Sequence, residues 1–409
     1  MTVRKRIAIC LDGTWQNPYQ EKERDDGTSV LKPSNVLKLS RAILPRDPTD
    51  GTPQITYYDS GIGGLVTYPG MANRWLSGAD RLLGGGWGAG FECNVEEAFR
   101  FLVHNYTEGD QVFVFGFSRG AAQARALTTF LSWLGGIPGK RDAYFAPLFF
   151  LDFVTTRGTG RPDEVTTAGG DPPSGPLVPI TVEMLGVWDT VMALGSRLRA
   201  TGRTSSAGRT FYVPDTPAGC VSHARQALAI DERRYDFRPE IWRAAALHQT
   251  LEQRWFAGSH SNIGGGYVHD GLANITFRWL LNEAAGLGLV IDREFIKPYR
   301  PFCQDQYYSS GSAMYTILDT VRFRRGKGRR TLIGQPATAN LYLDKSVIHR
   351  IRSDPDDARF TRLELYRPDN VLELLAEQPD ITQYLVGLGV SPDDTELPAD
   401  VTERIRQLR

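Results

Sequence analysis

The sequence predicts a doubly wound α/β fold with a mostly parallel sheet, helices on both faces and long loop insertions. Three observations carry that prediction. Five short runs are almost continuously apolar, and each ends at or beside Gly, Asp or Ser. Strands of a parallel sheet, covered on both faces, leave this trace. Between the runs lie segments with helical spacing of apolar residues, and alternation of the two kinds is the α/β signature. The third observation is a strand-to-helix junction, VFVFGFSRGAAQARAL, in which Gly116, Ser118 and Gly120 force a sharp turn.

Taken in order, the strand candidates are RIAICLD (6–12), PQITYYD (53–59), QVFVFGF (111–117), TVEMLGVWD (181–189) and QRWFAG (253–258). Phe91, Val95, Phe99, Leu102 and Tyr106 form one stripe at three- and four-residue spacing, which predicts a helix. A second helix runs through Ala121, Ala124, Leu127, Leu131 and Leu134 and stops at Gly135 and Gly136; Leu272, Ile275, Trp279 and Leu280 mark a third. Two stretches rich in Gly, Pro, Ser, Thr or Arg, 156–176 and 196–208, read as long loops. Beyond about residue 289 the alternation weakens. The expectation is one domain over 1–409, with a core at about 5–290 and an extension, 291–409, packed on it.

Composition excludes several classes. With 47 basic and 47 acidic residues the chain has no global field, so nucleic acid is not an expected partner. Cys10, Cys93, Cys220 and Cys303 lie far apart without a C-x-x-C pair, which argues against a metal centre or a disulfide framework and fits a reducing compartment. The apolar run after the basic start is broken by Asp12, too soon for a signal-peptide core. The most apolar stretch, 144–154, falls far short of the roughly 20 residues a spanning helix needs. The expected location is therefore cytoplasmic, with leaderless export left open.

The G-x-S-x-G pentapeptide carries the chemistry. A nucleophile elbow needs small residues two positions either side of a strained Ser, so that strand and helix can approach closely. Gly116 and Gly120 supply them for Ser118. The following helix, starting near Arg119, aims its amides and dipole at the place where an oxyanion would develop. A second oxyanion donor is expected from Gly13 or Thr14 in LDGTW, at the end of the first strand.

A Ser hydroxyl needs a base and a group that orients it. Of six histidines, His260 is the candidate, because it follows a strand and precedes a Gly-rich turn in WFAGSHSNIGGGY. His269 is its nearest rival. His248 reads as lying among helical residues, His104 on a helix face and His223 beside an Ala-rich run. Asp189 closes a strand at the same sheet edge as Ser118, giving the order Ser, Asp, His; the lesser alternative for it is the cap of a following helix, and Asp231 competes for its role. Asp12, Trp15 and Trp188 are weaker candidates for substrate contact. Trp15, Trp87, Trp188 and Trp255 suit either an acyl pocket or the core. The basic stretches 197–203 and 322–330 suit either an anionic head group or a solvated face.

Two other motifs lead elsewhere and fail. LDGT resembles the start of a haloacid-dehalogenase phosphatase, but the nucleophilic Asp of that family would fall at Cys10. GGGWGAG (84–90) follows no convincing strand and lacks the acidic partner of a dinucleotide site.

LDGTWQNP, YYDSGIGG, FVFGFSRGAAQAR, GVWDTV, ALAIDERR and WFAGSHSNIGGGY together resemble, in this order, the α/β-hydrolase family catalogued as domain of unknown function 2235, which includes phospholipase effectors of the type VI secretion system. The resemblance covers about residues 5–290, with a weaker echo in LDKSVIHR and LYRPDNV. It implies a triad of Ser118, Asp189 and His260, an α/β-hydrolase-like fold, no metal or other cofactor, and a small-molecule or lipid ester as substrate. The chain departs from the family in one place, carrying Asn262 where an Asp usually follows His-Ser. It also lacks the membrane-docking additions of longer effectors, although peripheral membrane contact stays compatible. The expected activity is carboxylic ester hydrolysis, extending to lipid or phospholipid esters; the alternative is a catalytically inactive hydrolase fold acting as an interaction module.

Overall fold

A computed structural model describes residues 3–13, 21–23, 27–61, 87–159, 176–192, 213–234, 237–308, 328–353, 365–377, 385–386 and 396–409. The first strand, β1 (Arg6–Leu11), is buried at every position, because its alternate side chains enter two different cores. A short hairpin of β2 (Glu21–Glu23) and β3 (Ser29–Leu31) follows, then α1 (Asn35–Ala42) and β4 (Gln54–Asp59). Next come α2 (Trp87–Asn105), β5 (Gln111–Phe117), α3 (Arg119–Leu134) and α4 (Ala146–Thr156). Three neighbouring strands, β6 (Val182–Trp188), β7 (Val221–Ala229) and β8 (Thr250–Phe256), lead to the short α5 (His260–Gly264) and to α6 (Gly271–Gly286). The C-terminal part contributes β9 (Leu341–Asp344), α7 (Lys345–Arg352), α8 (Asp369–Glu377), β10 (Leu385–Val386) and α9 (Ala399–Leu408).

Among the described residues, eight strands form one sheet in the order β10-β9-β8-β7-β6-β5-β1-β4, every pair parallel. This is the predicted doubly wound α/β architecture. From β1 the chain moves to β4 on one side, then crosses to β5 on the other and grows outward. The strand order therefore reverses between β1 and β5, and a crevice opens beyond the carboxyl ends of such a pair.

Burial explains the layering. Ile7, Ile9 and Leu11 join α2, α3 and α4 on one face, while Ala8 and Cys10 join Val36, Leu39, Phe277 and Leu280 of α1 and α6 on the other. A third cluster packs Leu228, Ile230 and Trp255 against Leu343, Val347, Ile351, Val371, Leu372 and Ile405. In that cluster the C-terminal helices cover the ends of β7 and β8.

The five predicted strands are present, but β7 is an addition. Its sequence, VSHARQALA, is interrupted by polar residues that break the apolar run. Gln226 is nonetheless fully buried, donating to Gln253 at 2.9 Å and accepting from Thr190, so its polarity is satisfied inside the sheet. His248 lies in a turn before β8, contrary to its helical reading. The loop readings at 160–175 and 196–208 and the glycines of 84–86 lie outside the described residues.

Candidate active site

Ser118 sits between β5 and α3 with φ 59° and ψ −122°, and it is buried. A non-Gly residue at positive φ carries steric strain and persists only where its surroundings enforce it. The two glycines do so here. A Cβ on Gly116 would stand 2.4 Å from the carbonyl oxygen of Gly120, and one on Gly120 would stand 2.2 Å from that of Leu11. Any side chain at either position would push α3 off the sheet, and the turn would relax. The Ser118 N–H donates to the Trp188 carbonyl at 3.0 Å, which ties the bend to β6.

Register brings the acid beside it. Phe117 pairs with Trp188, so Ser118 and Asp189 are the first residues beyond adjacent strands. Asp189 also has positive φ, 44°, and no exposed surface. His260 opens α5, just past β8, and its Nδ1 lies 2.6 Å from Asp189 Oδ2. The imidazole is held between two aromatic rings, with centroids 4.7 Å from Phe117 and 5.0 Å from Phe237. Its Nε2 is buried and has no hydrogen-bond partner among the described residues. A buried, unpartnered ring nitrogen is an open position for a proton, and the ring carrying it packs on Phe117, the residue before Ser118.

Electrostatics set the charge states. Burial pushes the His260 pKa below its usual 6.5, against the opposing pull of Asp189, so the ring is a neutral base at pH 7. Burial alone would raise the Asp189 carboxyl; the Arg330 guanidinium and the His260 ring outweigh it and hold the group far below the usual carboxylate range. Arg330 donates from Nη1 to Oδ1 at 2.5 Å and from Nη2 to Oδ2 at 2.9 Å. The sequence reading missed this residue, placing it in a charge run suited to solvent or a head group. Arg329 does reach outward, to Asp369 and Glu373, but Arg330 turns in. No local pattern marks the difference, because the partner is 141 positions away.

The remaining candidates divide. Asp12 is buried and accepts from Ser34 Oγ, Tyr58 Oη at 2.8 Å and the Gly13 N–H at 2.7 Å. The Gly13 amide, expected to face the oxyanion, is therefore engaged by the neighbouring carboxylate. A Cβ on Gly13 would lie 3.3 Å from Ser118 Cβ, so the turn itself borders Ser118. Arg119 is the first residue of α3, directly after Ser118. Trp188, expected to touch substrate, is fully buried between the sheet and α6, where it packs as core, and Trp255 likewise belongs to the third cluster. Thr14 and Trp15 lie outside the described residues, as does the side chain of Trp87.

The rivals are elsewhere. His269 lies 3.6 Å from Asp305 and is partly exposed. Asp231 accepts from the Gly258 N–H at 2.7 Å and Tyr366 Oη at 2.7 Å, which makes it a brace for the loop before His260. Asn262 accepts from the Ser259 N–H and Oγ, each at 3.1 Å. An Asp would serve as the same acceptor, so the departure at this position leaves the loop's main contact in place. No described helix is long and apolar enough to cross a membrane.

Comparison with known proteins supplies the family. An uncharacterized protein of Saccharomyces cerevisiae, YEL023C, is 30% identical over 138 residues, 32% of this chain and 18% of that protein. Among solved structures, the Tle1 effector bound to the VgrG spike of the type 6 secretion system is similar over 65% of this chain and 52% of its own, at 22% identity and TM-score 0.37. An uncharacterized protein from Pseudomonas aeruginosa covers 99% of this chain and 62% of its own, at 16% identity and TM-score 0.39. The chain thus spans less than two thirds of each of these proteins. The family model described as T6SS, phospholipase effector Tle1-like, catalytic domain matches residues 5–283, and the chain belongs to that family.

Proposed function

We propose that the protein is a serine hydrolase that cleaves a carboxylic ester of a lipid, with phospholipids as the leading substrate class. The observation that carries this reading is the buried 2.6 Å contact between His260 Nδ1 and Asp189, with Nε2 left unpartnered at the strand ends where Ser118 is strained. Family membership supports the lipid ester.

In this mechanism His260 Nε2 takes the Ser118 proton as Oγ attacks the ester carbonyl. Asp189 holds the proton on Nδ1 and stabilises the imidazolium. The oxyanion lies at the N-terminus of α3, where the Arg119 amide and the helix dipole oppose its charge; one such donor contributes about 3 kcal/mol in the transition state. The Gly13 N–H, the other donor expected from the first turn, is instead engaged by Asp12 at 2.7 Å. Collapse of the tetrahedral intermediate expels the alcohol, which takes its proton from His260, and leaves an acyl-Ser118. Water then gives a proton to His260 and attacks the acyl carbon. The carboxylic acid departs and Ser118 regains its proton, so the cycle closes with no external reductant or oxidant.

A fluorophosphonate probe tests the reading. The wild-type protein is expected to become labelled and to release fatty acid from phospholipid vesicles, and Ser118→Ala is expected to lose both. Folded wild type that resists the probe would favour an interaction module on a hydrolase scaffold.

A further inference from the structure

We propose that Arg330 is a positioning residue for the reaction: from outside the segment that defines the family, its guanidinium clamps both carboxylate oxygens of Asp189 and so fixes the His260 ring. The proposal rests on the triad reading and deepens it.

The two terminal nitrogens of the guanidinium make every contact, while its buried Nε has no partner among the described residues. Arg330 Nη1 donates to Asp189 Oδ1 at 2.5 Å and to the Ala229 carbonyl at 2.8 Å; Nη2 donates to Asp189 Oδ2 at 2.9 Å and to the Phe237 carbonyl at 2.6 Å. Asp189 Oδ1 also accepts from the Ala229 N–H at 3.1 Å, while Oδ2 meets His260 Nδ1. Each carboxylate oxygen thus has two partners, and the planar fork of the guanidinium leaves the carboxylate no freedom to rotate. Both side chains are buried, at 4% exposure for Arg330 and none for Asp189.

The arginine is itself held. Asn370, on α8, donates to its backbone carbonyl at 3.1 Å and to that of Ile230 at 3.1 Å, stitching residue 330 to the end of β7. Arg329 pairs with Asp369 and Glu373 of the same helix. The family match ends at residue 283, so the clamp is delivered by the C-terminal part of this chain.

The clamp changes the chemistry in a definite direction. A carboxylate buried beside a His with no cation would tend to take up a proton, and it would then cease to accept from Nδ1. Arg330 keeps the acceptor ionised. It also places a positive charge next to the imidazole, which disfavours imidazolium and keeps the base free in mild acid. The other charges facing His260 are Glu232, whose Oε2 accepts from the His260 N–H at 3.3 Å, and Arg234, which forks onto Glu232. These two largely offset one another. Burial and Asp189 therefore set the balance at the ring, and Arg330 acts on it through Asp189.

The test compares wild type, Arg330→Lys and Arg330→Met in the full chain, reading kcat, KM and the pH profile of kcat/KM on a soluble ester. Loss of the cation lets the Asp189–His260 pair bind its proton more easily, so the acid limb of Arg330→Met should move up by about one pH unit or more. Its kcat at neutral pH should fall about 10²-fold with KM little changed, as for a misaligned base. Arg330→Lys keeps the charge without the fork; it should hold the acid limb near wild type yet lose kcat, and it serves alone should Arg330→Met fail to fold. Folded variants with wild-type kcat and an unmoved acid limb would overturn the role of Arg330 while wild type still reacts with the fluorophosphonate. Wild type that resists the probe would remove the triad reading, and this proposal with it.

Discussion

Ser118 keeps its backbone at φ 59° because Gly116 and Gly120 let β5 and α3 meet, and that requirement is visible in the pentapeptide itself. The charge state of Asp12, in the turn facing it, is not. Burial pushes the Asp12 carboxyl up to about 7, with nearby Asp59 adding to the effect, while Ser34, Tyr58 and the Gly13 amide pull the other way. The folded protein therefore holds this proton where the unfolded chain, near the ordinary 3.8, releases it. The resulting stability is fully present below that ordinary value and is lost as pH rises through about 7. Asp12→Asn, which cannot ionise, should escape the loss. Between pH 5 and pH 8, urea unfolding should shift in favour of the variant by about 2 kcal/mol relative to wild type. A difference that stays constant with pH would mean that Asp12 is ionised throughout. The role of Arg330 and the charge state of Asp12 were illegible for one reason: each is defined by burial and by partners outside its own stretch of sequence.

Elements were legible where one period dominated them. The five near-continuous apolar runs and three striped helices appear where the spacing places them, whereas β7 hides because Arg225 and Gln226 interrupt it and find partners in Glu283 and Gln253. The short α5 deserves its own test, since it carries His260. Its first turn depends on Asn262, whose Oδ1 receives both the N–H and the hydroxyl of Ser259, and all these groups are buried. Asn262→Ala would strand the Ser259 N–H at a cost of about 1–3 kcal/mol, while the Ser259 hydroxyl keeps the Tyr308 carbonyl at 2.9 Å. The expected result is a lower urea midpoint together with a slower reaction with fluorophosphonate, because the imidazole loses its support. Asn262→Asp retains the acceptor and should react at close to the wild-type rate. Equal loss in both variants would contradict the role given to that acceptor.

At the scale of the whole molecule, the strand order reverses between β1 and β5, and the turns just past those strands meet there, with Gly13 against Ser118. The sequence marked the fold class and this sheet edge, but it left the C-terminal part nearly blank, because β9 and β10 are short and their helices pack only against a sheet already built. Polar ties bind that part to the site, among them Arg330 on Asp189, the Tyr308 carbonyl on Ser259 Oγ, and Tyr366 Oη on Asp231, which also accepts from the Gly258 N–H before His260. Its apolar share is the third cluster. Removing everything after residue 290 would expose Leu228, Ile230 and Trp255 and strip Asp189 of its cation, and breaking one side of a buried ion pair costs about 3–5 kcal/mol. Such a loss is a large part of the 5–15 kcal/mol that stabilises a typical domain. The chain cut at 290 should therefore be recovered mostly insoluble, or soluble with strong binding of a hydrophobic dye and no fluorophosphonate labelling. A truncated protein that unfolds cooperatively and is labelled at the wild-type rate would show that residues 5–290 make the site unaided.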